Sequence, residues 1–220
     1  KTHFYGKVLL RTCTNGSSEL MTNLSSSIVN SLYNLQLMKF AGENGVAAYG
    51  TIMYVNFIFV AIFIGYSIGS APIISYHYGA QNHDELKNLS KKSLTLICIW
   101  AVSIFALAQL LAAPASKLFV GYDQSLYKMT VSGFRIYCLA FLINGYNIFG
   151  SSFFTALNNG PISAAISFLR TLVFQLSAVL LLPVILGING IWLSVAVAEL
   201  FTLCVTATFF IRKAKYYHYI

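Results

Sequence analysis

The sequence predicts an all-α integral membrane protein built as a six-transmembrane-helix bundle. Three observations carry this. Apolar residues make up 57% of the 220 residues and charged residues only 9%, against about 25% charged in soluble domains, so water cannot be the solvent for most of the surface. The mean hydropathy is +0.70. The apolar residues fall into six runs, each long enough for the about 20 residues that one crossing requires. Together these exclude a disordered chain, a secreted disulfide scaffold and a cytosolic enzyme.

The runs lie near 17–40, 46–77, 92–113, 129–156, 162–186 and 189–211. Ala41-Gly42-Glu43-Asn44-Gly45 reads as a tight turn after the first. The second run is too long for a straight crossing and carries Gly65, Gly69 and Pro72, which predicts a bend near 69–72. His77 to Lys92, the most polar stretch, reads as a water-exposed loop, and Pro114 to Lys128 as another. Asn158-Asn159-Gly160-Pro161 ends the fourth helix and starts the fifth, with Pro in a first turn where its missing N–H is harmless. Gly187-Ile188-Asn189-Gly190 is the last turn. The pair Asn15-Gly16 recurs as Asn159-Gly160, and Asn44-Gly45 as Asn189-Gly190, either as a weak internal repeat or because Asn-Gly is a good turn.

Charge sets the orientation. Lys1, Lys7, Arg11, Lys87, Lys91, Lys92, Arg212, Lys213 and Lys215 fall on one side, and Lys39, Lys117 and Lys128 on the other. Positive residues favour the cytoplasm, which predicts cytoplasmic termini: a segment 1–16, the bundle 17–211 and a basic tail 212–220. The net charge of +8 therefore reports topology and implies no nucleic-acid partner. The chain begins with Lys1, without a signal peptide or an initiator Met, and reads as a piece of a longer chain.

Polar residues inside spans are informative because lipid penalises them. On the first helix Glu19, Asn23, Ser26, Ser27, Asn30 and Asn34 fall within a wedge of about 100°. On the fourth, Gly133, Tyr137, Asn144, Asn147, Ser151 and Thr155 fall within about 80°. Two such stripes predict a water-accessible cavity lined by Asn30, Asn34, Asn144 and Asn147, with Tyr33 and Tyr146 nearby. For the serines, hydrogen bonding between packed helices is the competing explanation.

Four charges remain. Arg135 lies near a span end, where it can snorkel, and Glu19 in a first turn, where it complements the helix dipole. Arg170 and Glu199 lie at similar depth on consecutive spans, which predicts an ion pair. Cys98, Cys138 and Cys204 read as small buried hydrophobes, and Cys13 completes four cysteines without metal spacing. No catalytic or metal-binding motif occurs in the sequence.

The run Asn15-Gly16-Ser17-Ser18-Glu19-Leu20, then Asn23-Leu24-Ser25 and Ala41 to Tyr49, resembles the seventh helix and following turn of the multidrug and toxic compound extrusion (MATE) transporters. Gly69-x-x-Pro72 to Ala80 resembles their eighth helix and Phe154 to Asn158 the end of the tenth. Arg170, Gly187-x-x-Gly190-Ile191-Trp192 and Ala198-Glu199 are similar to the eleventh and twelfth. The resemblance implies one lobe of a twelve-helix, two-lobe transporter of the cell membrane. That transporter would pair 17–211 with an N-terminal six-helix lobe through the 1–16 linker. It would export small organic cations in exchange for H+ or Na+, with no other cofactor. Where some members carry coupling acids, this sequence has Ser25–Ser27 and Asn147, which puts the coupling carboxylates in the other lobe.

Other readings differ in what they require. A flippase for lipid-linked precursors needs several cations facing the cavity, and Arg135 and Arg170 are the candidates. A membrane enzyme needs paired acids or His clusters in its spans. A non-transporting scaffold needs no polar stripes.

Overall fold

The structure, a computed structural model, describes residues 5–219, with the side chains of Ser18, Glu19 and Met21 outside the description. Among the described residues five helices are long and apolar enough to cross a membrane. The first, Gly6–Gly79, has 74 residues, about 110 Å if straight and far beyond a hydrocarbon core of about 30 Å. It is two antiparallel arms. Gly42 (φ 61, ψ −153) breaks the helix, and across the break Tyr33 stacks on Tyr49 while the Tyr49 hydroxyl donates to Asn30 Oδ1. We label the arms α1 (6–41) and α2 (43–79). They are followed by α3 (His83–Val120), α4 (Gln124–Ala156), α5 (Gly160–Leu186) and α6 (Ile188–Tyr217).

The helices alternate in direction. Tyr66 and Tyr54 of α2 meet Trp100 and Phe119 of α3 in reverse order. Phe59 meets Phe141, and Ser67 and Ser75 meet Ser152 and Ala156, so α2 and α4 run parallel. Gly133 faces Trp192 and Phe153 faces Phe210, making α4 and α6 parallel. Thr14 meets Gly160 and Gln36 meets Val179, making α1 and α5 parallel. The first described turn of α1 and the last of α6 thus lie at the same end of the bundle. Much of the outer surface is apolar and exposed, as at Leu110, Leu118, Val184, Ile185 and Ile211.

The helices extend beyond the six apolar runs. The first starts at Gly6 rather than near 17, so Asn15-Gly16 lies inside a helix and is no turn. The loop expected over 77–92 shrinks to a few residues, because Asn82 caps α3 by accepting from the Glu85 amide. The loop expected over 114–128 is likewise helical to Val120, and Asp123 caps α4 through the amides of Ser125 and Leu126. The basic tail is helical to Tyr217, and Tyr219 folds back, 1% exposed, against Phe153 and Phe210. Residues 69–72 keep helical backbone angles; the non-helical residue within Gly6–Gly79 is Gly42. Of the cysteines only Cys138 is buried, since Cys98 and Cys204 face outward, where lipid is as apolar as a core.

The repeat of Gly-x-Asn-Gly is structural at one pair of sites. Gly42 and Gly187 share one backbone conformation, φ 61, ψ −153 and φ 57, ψ −140, a region close to that reserved for glycine. A side chain at Gly45 would crowd the Leu37 carbonyl, and one at Gly190 the Leu182 carbonyl. The α1–α2 and α5–α6 hairpins thus close by the same device.

Candidate functional site

A cavity of about 640 Å³ opens between α1, α2, α4, α5 and α6. Three polar stripes build its walls. α1 contributes Thr22, Asn23, Ser26 and Asn30; α2 contributes Tyr49, Asn56 and Ser67; α4 contributes Tyr137, Asn144, Ser151 and Ser152. The α2 stripe was not expected, although the sequence carries its signal: Tyr49, Asn56 and Ser67 fall within about 20° of one another at helical periodicity.

α5 contributes Ser167, Arg170, Thr171 and Gln175. The last three belong to a π-helical segment, Leu169–Gln175. In α geometry Arg170 and Gln175 would lie about 140° apart. The wider i→i+5 turn brings both into the wall, and such segments recur at functional sites. No periodicity argument from sequence reaches this.

The expected ion pair forms at the centre of the wall. Arg170 Nη2 lies 2.6 Å from Glu199 Oε1 and Nε lies 2.9 Å from the same oxygen. Nη2 also donates to Asn144 Oδ1 at 2.7 Å. Glu199 Oε2 accepts from Asn147 Nδ2 at 2.7 Å, and Asn147 Oδ1 accepts from the Thr206 hydroxyl. Nδ2 of Asn147 also reaches the Glu199 carbonyl. Charged groups leave water at high cost unless paired and hydrogen-bonded, and here both carboxylate oxygens accept hydrogen bonds. Glu199 is 6% exposed and Arg170 21%, so the guanidinium forms the cavity side of the pair.

The predicted lining residues divide. Asn30 and Asn144 line the cavity. Asn34 is exposed one turn further along α1, its amide donating to the Asn30 carbonyl, outside the lining. Asn147 is fully buried behind the wall, because its position on α4 faces α6 rather than α1. Tyr33 is 1% exposed and bonds Ser194 of α6. Tyr146 lies two residues from Asn144, about 200° around the helix, and meets Cys98 of α3. Gly133, on the expected stripe, instead admits the Trp192 ring. Arg135 is exposed and outside the lining. The Glu19 side chain lies outside the described residues. No cluster of His, Cys, Asp or Glu among the described residues could hold a metal.

Alternating apolar helices around a polar, ion-paired cavity define a multi-pass membrane protein of the transporter type. Residues 20–181 match the MatE family, and the chain belongs to it: the multidrug and toxic compound extrusion transporters, which are not enzymes. Its fold is similar to a MATE protein crystallised with MaL6, at 19% identity and a TM-score of 0.90, covering 98% of this chain and 49% of that one. It is similar as well to the outward-facing conformation of a multidrug resistance MATE transporter of the MOP superfamily, at 18% identity, a TM-score of 0.90, and 98% and 48% coverage. For an inward-facing conformation of such a transporter the values are 18%, 0.84, 98% and 50%. No curated protein matches the chain closely. The chain spans about half the length of the solved structures that it matches.

Proposed function

We propose that this chain is one six-span lobe of a secondary active exporter that works by alternating access with a second six-helix lobe. The observation that carries this reading is the cavity of about 640 Å³, whose mixed lining brings amides, hydroxyls and an ion pair into a molecule whose outside is apolar. Helix packing alone gives no reason to keep amides and an ion pair beside an open void in a membrane. A non-transporting scaffold leaves that void unexplained. A flippase for lipid-linked precursors needs several cations at the cavity, and Arg170 is the one among the described lining residues.

The transported compounds are small organic cations, held by the ring faces of Tyr49 and Tyr137 through cation–π attraction and by the amides around them. H+ or Na+ drives the exchange. Glu199, the carboxylate among the described lining residues, is committed to Arg170, which supports a coupling carboxylate in the other lobe. The protein resides in the plasma (inner) membrane with both termini cytoplasmic. The alternation of helix direction and the bias of Lys and Arg to one end support this orientation.

Two measurements test the reading. With both lobes reconstituted into vesicles, a fluorescent organic cation moves against its gradient when H+ or Na+ is supplied on the opposite side. Movement that ignores both ion gradients would refute exchange. In intact cells an impermeant thiol reagent modifies Tyr122→Cys and spares Lys87→Cys; the reverse pattern inverts the orientation.

A further inference from the structure

Away from the central cavity, a groove of about 390 Å³ runs along the outside of α3, lined by Asn88, Lys91, Lys92, Thr95, Leu96 and Ile99. At helical periodicity Lys91 and Lys92 stand about 100° apart, with Asn88, Thr95 and Ile99 between them. The face looks away from the bundle: Lys91, Lys92 and Thr95 are exposed, and Ile99 is 56% exposed. The groove shares no lining residue with the central cavity.

Hydrogen bonding leaves the two ammonium groups free. The Asn88 amide donates to both Glu85 carboxylate oxygens, at 3.1 and 3.2 Å, and the Thr95 hydroxyl donates to the Lys91 carbonyl at 2.9 Å. Glu85 is thus engaged by a neutral amide, and among the described residues neither Lys91 nor Lys92 forms an ion pair. The apolar run of this helix starts near 92, so the lysines mark the boundary between water and lipid. Leu96 and Ile99 continue the groove into the apolar zone, Ile99 about 11 Å beyond Lys92.

The complementary ligand carries an anion at the level of the lysines and hydrocarbon below it. An anionic glycerophospholipid has both, in that order. Lysines beside such headgroups gain electrostatic attraction, while their methylene stems lie along apolar surface. A soluble anion leaves the floor of Leu96 and Ile99 bare. From this groove we infer that α3 holds one anionic phospholipid, its phosphate between the Lys91 and Lys92 ammonium groups and an acyl chain along Leu96 and Ile99. The inference rests on the chain being a membrane protein and is independent of the transport reading.

The test uses protein with both lobes in detergent, titrated with dioleoylphosphatidylglycerol or dioleoylphosphatidylcholine, the bound lipids being counted by native mass spectrometry. In the double variant Lys91→Gln with Lys92→Gln, one phosphatidylglycerol site weakens about tenfold or more, while phosphatidylcholine binding changes by less than about twofold. Lys91→Arg with Lys92→Arg keeps the site. The control is Lys213→Gln with Lys215→Gln on α6, whose end lies beside the start of α3 through the His83–His218 contact. It removes the same charge from the same end of the bundle and leaves the site intact. Glycerol 3-phosphate, the headgroup without chains, does not displace the lipid at matching concentration. Unchanged phosphatidylglycerol binding in the Lys91 and Lys92 glutamine variant overturns the site. An equal loss in the α6 control overturns it in favour of diffuse charge, and displacement by glycerol 3-phosphate in favour of a soluble anion.

Discussion

Two polar regions face the same cavity and differ in how they are held. On α1, Asn30 is exposed and shares its carbonyl with Asn34, and the chain's polar stripe there stays open to the void. Across it, Asn144, Arg170, Glu199, Asn147 and Thr206 bind one another in a continuous chain over α4, α5 and α6. One wall is a surface and the other is a buried joint whose front edge is a surface. Amides within a span thus do two jobs, and the neighbouring helix decides which.

The joint should dominate stability. Removing one member of a largely buried ion pair strands the other, at about 3–5 kcal/mol, reduced here because Arg170 is partly exposed. Arg170→Ala or Glu199→Ala should therefore sharply lower the yield and melting temperature of folded protein. The double change Arg170→Met with Glu199→Leu should recover most of the loss. A double variant no better than either single would separate the two residues and break the contrast.

The turns come next. Gly42→Ala and Gly187→Ala force a side chain into strained backbone, each losing about 1–3 kcal/mol in a thermal melt. Because both glycines hold the same conformation, the two losses should be similar. A neutral substitution at either one would mean that the shared geometry does not hold the hairpins.

Smaller still is the difference between two asparagines. Asn147→Ala leaves the carboxylate short of a donor and should lower stability by about 1–3 kcal/mol. Asn34→Ala, at an exposed position on α1 beyond the lining, should stay within about 0.5 kcal/mol. Equal melting temperatures for the two variants would erase the distinction.

The same contrast marks what the sequence could reveal. The apolar runs located the helices, since a crossing demands them. Their ends were hidden because a helix continuing past the lipid is polar and looks like a loop. Asn82 and Asp123, which cap the true starts of α3 and α4, fall inside the stretches read as loops. Periodicity found the α1 and α4 stripes, and matching depth found Arg170 with Glu199. It could not assign Asn147 to the joint, because a face of about 80° meets two neighbours at once. Tyr146 was misplaced by proximity in sequence, two residues being half a turn. The α2 stripe was legible and passed over, being diluted across a long apolar run. Gln175 was not legible, because it enters the wall only through the π-helical segment.

The central claim is that the void between these two walls is a vestibule through which substrate passes. Single cysteines at Asn30, Asn144 and Asn147, in protein with both lobes reconstituted in membranes, test it by their rates of reaction with a small polar thiol reagent. The account predicts modification at Asn30→Cys and Asn144→Cys, slowed by a bound organic cation, and none at Asn147→Cys behind the wall. Inert cysteines at both lining positions, or a label at position 147 alone, would contradict it.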